Sequence, residues 1–502
     1  LALFVLATAV SGCGNSGSSS ADSQSGSSAT SENSASSEDT ASTDGEVPTI
    51  SLMVVCGTTP PDADAVAEKL SEITREKIGC NVEFITMEIG NVAQQLNLLL
   101  SGGDDTLDVF MAGISVPYST IVNNGQALSL DTLMEPYAEE VKTALGEKVY
   151  ESGRVNGELY GIGRLLDQAS TTCYNLRRDI AEEFGYKNGD KVDLAELTEL
   201  FGKVREKYPD TPLIGPMNGV PSIGDSRIDS LGNKLGVLDN YGQDTTVTNY
   251  YESAGYEELV GYFKQWKEMG CYMADILNVT DAPIDYIPSG KAFGCFASHF
   301  SAEMNGIWSS QNFGTDIASL QIYEDAVAIT PGAYECINPA TKNPEAAAAL
   351  IYLMATDPDV ENLLINGIEG QHYQVLEDNT ATYVDGKDIS TTGWCLGYSW
   401  TALNSTISIP FEYPADYYDR LLEANKNAQQ SKAFGCQFDL TGVSDAVSAC
   451  TNVVNQYENA LSGGAVEDFD ATLAQFQQAL RDAGIDEIVA AKQEQLDAFL
   501  AG

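Results

Sequence analysis

The sequence predicts an α/β fold whose folded body begins at Pro48, and three observations carry that reading. From Pro48 onward, short β-branched apolar runs alternate with amphipathic stretches in the order β-α-β-α-β, the pattern of parallel strands wound with crossover helices. The first run, TISLMVVC at residues 49–56, is almost continuously apolar rather than alternating, as a strand buried on both faces requires. The 502 residues, 43% of them hydrophobic and 20% charged, suffice for two or three domains with full-sized cores.

Upstream of the body, Leu1 to Cys13 reads LALFVLATAVSGC. This is an apolar run of the length of a secretory core and too short to stay as a bilayer-spanning helix. Val10-Ser11-Gly12 directly before Cys13 resembles the lipobox of bacterial lipoproteins, in which cleavage precedes the cysteine and its sulfur takes diacylglycerol. An ordinary signal peptide or a buried amino-terminal strand is the blander alternative. The run has no starting Met and no basic flank, so the sequence is read as truncated at its front. A lipidated Cys13 anchors the chain to a membrane, each buried CH2 contributing about 0.8 kcal/mol. Residues 14–47 then form a Ser-rich tether. From Gly14 to Glu46 there is no aromatic, no Leu, Ile or Val, and no base, so burial cannot offset ordering entropy. As a flexible coil it spans about 30 Å.

Charge excludes one class of partner. With 73 Asp and Glu against 26 Lys and Arg, net −47, the chain lacks the clustered cations that follow nucleic-acid phosphates. A solvated, self-repelling surface explains the acidity better than calcium binding. Ten cysteines and only two histidines, His299 and His372, are present, with no CxxC pair. No metal site or cofactor is expected, and the irregular spacing from Cys56 to Cys450 suits small buried hydrophobes rather than disulfides. No second apolar run reaches the length of a transmembrane helix.

The elements follow in order. Residues 62–78 place Val66, Leu70, Ile73 and Ile78 at near-helical spacing; 80–87 is a second strand; 92–100 is a helix stopping at Gly102-Gly103; and 107–112 is a third strand. In such sheets ligands lie beyond the carboxyl ends of the strands. That rule places Gly57-Thr58-Thr59 and Gly113-Ile114-Ser115, with Tyr118 behind, along a crevice. Residues 131–149 are predicted as one helix, 158–163 as a returning strand, and 179–208 as two helices broken near Gly185 and Gly189. In 257–269 Leu259, Phe263 and Trp266 share a stripe, so Trp266 is core. Asn343-Pro344 and Asp357-Pro358 each put a capping side chain before a helix-opening proline. A hairpin is expected over 373–384, and two closing helices over 469–482 and 485–500.

Several stretches together resemble the extracellular solute-binding proteins of ABC importers, in their carbohydrate-associated branch. They are the Gly-Gly break before Leu107-Asp108-Val109-Phe110; Val155-Asn156-Gly157-Glu158-Leu159-Tyr160-Gly161-Ile162; Cys173-Tyr174-Asn175-Leu176-Arg177-Arg178-Asp179, similar to Y-N-K-D-L but spaced differently; Ala340-Thr341-Lys342-Asn343-Pro344-Glu345-Ala346-Ala347, similar to S-K-N-P-E-x-A; and the segments 366–373 and 484–499. Gly163 stands where the family often has Pro after Y-G-I. The resemblance covers nearly everything after Pro48 and implies a two-lobed, periplasmic-binding-protein-like (type II) α/β fold with crossing hinge strands. The crossings are expected near residues 161–167, near 319–326 and after Leu364. The N-terminal lobe is then 48–165 with 326–364, and the C-terminal lobe 166–325 with 365–502.

The same resemblance implies a monomer on the outer face of the cell membrane that captures a sugar or oligosaccharide and delivers it to permease subunits with their ATPase. A sugar offers a C–H face to aromatic rings and hydroxyls to polar side chains. Trp308 and Trp394, in irregular polar sequence, are candidate stacking platforms, while Trp400 suits core equally. Asp167 and Gln168, past the first crossing, are candidate polar partners, joining Thr58, Ser115 and Tyr118. His299 and His372 are read as structural hydrogen-bonders, His372 holding the loop that follows Gly367. A peptide or other polar metabolite is the alternative cargo. A surface glycoside hydrolase using two carboxylates is the rival activity, and an extended adhesin or structural lipoprotein is a third reading. From Pro48 onward the sequence has no G-x-S-x-G, H-E-x-x-H, G-x-x-x-x-G-K-[ST] or G-x-G-x-x-G motif, so binding without turnover, with no catalytic residue, is expected.

Overall fold

The computed structural model describes residues 47–501 apart from 103–105, 167, 218–222, 324–325, 389 and 395–400. Cys13, the tether up to residue 46 and Asp167 therefore lie outside the described residues.

Two sheets carry separate cores. The first has the strand order Asn81–Glu88, Thr49–Cys56, Val109–Ala112, Tyr334–Ile337, Gly161–Gly163. Its first three strands are parallel, in register from Thr49 opposite Asn81 to Cys56 opposite Glu88, and Tyr334–Ile337 runs antiparallel to both its neighbours. The continuous apolar run at 49–56 has the predicted cause. Ile50, Leu52 and Val54 face a core with Leu350 and Met354 of the helix Pro344–Thr356, while Met53 and Val55 face a second layer with Leu96 and Phe110. Buried Asp108 ties two strands together by accepting from the Ser51 N–H (2.8 Å) and hydroxyl (2.9 Å).

The second sheet is organised around Ala169–Arg177, with Gly294–His299 and Ile317–Gln321 antiparallel on its two sides; Val327–Ala328 and Gln429–Gln430 extend it. One face is aromatic: Tyr174, Phe201, Trp266 and Phe296 pack with Phe476 and Ile488 of the closing helices Phe469–Asp482 and Ile485–Ala501. Trp266 is fully buried and its indole N–H donates to Thr198 Oγ1 at 2.8 Å, so it is core as expected. The other face is polar. Asn175 donates to Ser309 Oγ (3.0 Å) and accepts from Asn305 (2.7 Å), which also donates to Ser319 Oγ (2.8 Å). Alternation along the strand decides which residue meets which face.

The chain passes between the sheets three times. The first passage is 164–168, where the sequence expects a crossing near 161–167. The second is 329–333, since Val327–Ala328 still pairs with the second sheet. The third comes after Phe411 rather than after Leu364. Tyr373, Ala381, Trp394, Leu403 and Phe411 all pack in the first core, drawn there by the hairpin Tyr373–Val375 and Ala381–Tyr383. Two local expectations also differ. Residues 131–149 fall in three short helices, Asp131–Met134, Ala138–Leu145 and Glu147–Glu151, the last two separated where Gly146 takes φ 91°. Asp357 caps its helix through the Asp359 and Val360 N–H groups, whereas the Asn343 side chain makes no cap bond.

Candidate functional site

The first sheet delivers two loops to one end. Cys56 opens into Gly57-Thr58-Thr59, all exposed, and Ala112 into Gly113-Ile114-Ser115, with Ser115 half-buried. They lie beyond the carboxyl ends of adjacent parallel strands (Leu52 opposite Val109), where an open α/β sheet leaves room for a ligand. Gly113 has φ 106°, and a Cβ there would lie 2.1 Å from Gly332 O. The loop therefore touches the second passage, and only glycine allows the approach.

The second sheet presents its edge at the first passage. His299 stands opposite Thr171, two residues into Ala169–Arg177. Burial pushes the imidazole pKa down to about 4, so the ring is neutral at pH 7. Its Nδ1 accepts from the Ser301 N–H at 3.4 Å, which puts the proton on Nε2 as a donor. Ser298 is exposed beside it, and a Cβ on Gly224 would meet the Ser298 hydroxyl at 2.6 Å. The arrangement offers neutral hydroxyl and N–H donors, suited to hydroxyl-rich groups. Among the described residues no group of three His, Cys, Asp or Glu side chains is placed to hold a metal ion.

Thr58 and Ser115 stand on neighbouring loops at the strand ends of the first sheet, Gln168 lies in the first passage, and Asp167 is outside the described residues. Gln168 is buried and serves the passage itself. Its amide donates to Arg164 O (3.2 Å) and accepts from Asn425 Nδ2 (2.9 Å), tying the passage to the helix Tyr417–Asn427. Tyr118 is a core prop: its hydroxyl donates to Gly153 O at 2.5 Å and its ring stacks on Tyr334 at 4.1 Å. Desolvation raises its pKa. Trp394 is 5% exposed; it donates to Leu364 O at 3.2 Å and stacks on Phe84 at 5.9 Å. Its ring is spent on the first core, so the stacking role read from the sequence is corrected. Trp308 is not in irregular sequence but on the helix Ala302–Phe313, half-buried. It packs with Met217, Met273 and Phe313 near Cys295 and Ile317, at the end of the sheet remote from the passages.

His372 is fully buried. Its Nδ1 accepts from the Ile368 N–H (2.9 Å), so Nε2 donates to Asp62 Oδ2 (3.0 Å). It holds the loop after Gly367, as read. Sequence reasoning missed Thr401 and Asn404. Thr401 Oγ1 accepts from the Val55 N–H at 3.2 Å, and Asn404 pairs with Leu165 of the first passage. No local signal marks them, because their partners are hundreds of residues away.

Comparison with known proteins gives one full-length picture. A family model described as a domain of unknown function, DUF3502, matches residues 432–501. A carbohydrate ABC transporter substrate-binding protein of Streptococcus pneumoniae serotype 4 is 23% identical over 474 residues, 92% of each chain. Among solved structures, the N-glycan transport solute binding protein NgtS of S. pneumoniae superposes with a TM-score of 0.77 at 20% identity, covering 91% of this chain and 99% of that one. The same protein in complex with Man1GlcNAc gives a TM-score of 0.69 at 20% identity, covering 91% and 100%. The α/β fold is thus that of solute-binding proteins.

Proposed function

We propose that this chain is the substrate-binding component of an ABC importer, capturing an extracellular sugar or oligosaccharide between two lobes and delivering it to permease subunits with their ATPase. The observation that carries the reading is the end-to-end likeness to carbohydrate-transport binding proteins, in a chain whose two sheets are joined by three passages. Such a clamp closes only as far as the closed form binds ligand better than the open one; a micromolar ligand supplies about −8 kcal/mol in all.

The lobes in this reading are 47–163 with 334–411 and 169–328 with the segment from 417 onward, and the cleft lies where the strand ends of the first meet the edge of the second. Thr58 and Ser115 contact ligand hydroxyls from one side, and His299 with Ser298 from the other, with Asp167 kept as a candidate polar partner. Binding proceeds without turnover. Cys13 carries the lipid that holds a monomeric body on the outer face of the membrane; no helix among the described residues is long and apolar enough to cross one. Mass spectrometry of the membrane-extracted protein checks the anchor, and an unmodified Cys13 overturns it.

A thermal-shift and calorimetric screen across oligosaccharides and peptides tests the cargo. The expected result is a saturable shift with an oligosaccharide and no release of reducing ends. A shift with peptides alone replaces the cargo, and steady product formation replaces binding with catalysis. Ser115→Ala and His299→Gln each weaken the response about fivefold to tenfold, the worth of one hydrogen bond.

A further inference from the structure

Glu335 lies mid-strand in Tyr334–Ile337, where all four residues are buried. It is 0% exposed, and among the described residues neither carboxylate oxygen has a hydrogen-bond partner. Glu361, in the helix Pro358–Asn366, is also 0% exposed; Oε1 accepts from the Leu403 N–H at 2.9 Å, and Oε2 has no partner among the described residues. Arg164, itself buried, is the cation whose charge reaches both. A buried carboxylate is expected to have its oxygens met by donors, because an unmet buried charge costs several kcal/mol. Among the described residues Glu335 meets none.

The position of the cluster is its second feature. Arg164 is the first residue of the first passage, and its N–H donates to Ala333 O (3.1 Å), the last residue of the second. Leu165 donates to Leu403 O (2.9 Å), beside the amide that serves Glu361. Beyond the third passage, Tyr418 feels the charge of Glu361 and hydrogen-bonds Ser408 at 3.0 Å. The first and second connections thus meet beside Glu335, and Leu403, on the way to the third, meets the first beside Glu361, which sets two carboxyls and one guanidinium where the sheets are joined. That set is neutral only while one carboxyl keeps its proton; full ionisation leaves a net negative charge buried in a chain already at −47.

We propose that Arg164, Glu335 and Glu361 form a proton-loaded hinge, in which loss of the retained proton changes the angle between the two sheets. The physical drive is hydration: an ionised Glu335 reaches water only if its strand shifts against the passages. Desolvation pushes both carboxyls up to about 8, with Arg164 opposing the shift and the Glu361 charge adding to that on Glu335. Among the described residues, Cys336 on the same strand and Tyr418 also titrate near the cluster, both raised by burial and neutral at pH 7.

The test needs no ligand, so its outcome is independent of the cargo proposed above. Spin labels on the exposed Leu98 and Leu277 positions, one on each body, report the inter-sheet distance from pH 6 to 9.5. Side-chain 13C NMR follows the glutamate carboxyls over the same range. The expected result is a distance change that tracks a carboxyl titrating above pH 7, abolished in both Glu335→Gln and Glu361→Gln. Glu369→Gln, on the surface, leaves it intact. If every carboxyl titrates below pH 6, or one titrates near 8 while the distance stays fixed, the proposal is overturned. Should Glu335→Gln fail to fold, Glu361→Gln and the wild-type titration still decide.

Discussion

Lys492 beneath the second sheet and Glu335 within the first are both fully buried, yet they are satisfied in opposite ways. The lysine ammonium donates to Leu231 O (2.9 Å), Asn233 Oδ1 (2.7 Å) and Gly236 O (3.1 Å), one acceptor for each N–H. It pins a loop strained at Leu231, Lys234 and Gly236, all at positive φ. Glu335 meets no donor among the described residues. A buried charge whose hydrogen-bonding capacity is filled holds one conformation in place. One left unfilled favours any rearrangement that rehydrates it.

The pH response carries the same contrast with opposite signs. Burial lowers the Lys492 pKa to about 7 from 10.5. The folded state then binds fewer protons than the unfolded chain, so this contribution is complete above the unfolded value and is lost as pH falls through 7. Glu335 and Glu361 are raised to about 8 from 4.5. Their contribution is complete below 4.5 and is lost as pH rises through 8.

The largest expected effect is on Trp394, whose role the structure reassigns. Trp394→Ala should cost about 3–5 kcal/mol of stability, as truncating a buried ring does, while the folded protein keeps its response to sugar. Urea denaturation beside a thermal-shift titration separates the two; a stable variant that no longer responds would restore the ring to the cleft. Next comes Lys492→Met, which leaves three acceptors unmet and should cost about 3 kcal/mol. A loss under about 1 kcal/mol would show that the loop holds itself and would break the comparison. Glu361→Gln should flatten the decline in stability between pH 5 and 8 and leave the limb above pH 8.5 unchanged, read from midpoints of urea unfolding across pH. The smallest effect belongs to Gln168→Ala, about 1 kcal/mol, with faster amide exchange at residues 164–169 as the confirming sign.

The three parallel strands of the first sheet were legible one by one, because their order is local and apolar runs report double-sided burial, whereas Tyr334–Ile337, antiparallel and distant in sequence, was not. The second sheet was legible only in pieces. Its aromatic core joins Tyr174 and Trp266 to Phe476 and Ile488, and no window of sequence contains both partners. The site divides the same way. Thr58 and Ser115 do lie on the loops after two strand ends, where the rule puts them, and their contact with ligand is the proposal made above. Tyr118, Trp308 and Trp394 were misread because a large ring in a polar stretch announces neither exposure nor burial. Glu335 did leave a mark, an acid inside the otherwise buried strand 334–337, but its meaning needed Arg164 and Glu361 beside it.

The amino-acid order by itself determined the opening alternation of strands and helices and the acidity of the chain. These depend on periodicity, composition and neighbours a few residues apart. Only the tertiary structure decided that the hairpin and Trp394 belong to the first core, that the third passage waits until after Phe411, and that two acids share one arginine where the passages meet. Those outcomes depend on which distant surfaces exclude water together, and burial of that kind is a property of the assembled chain.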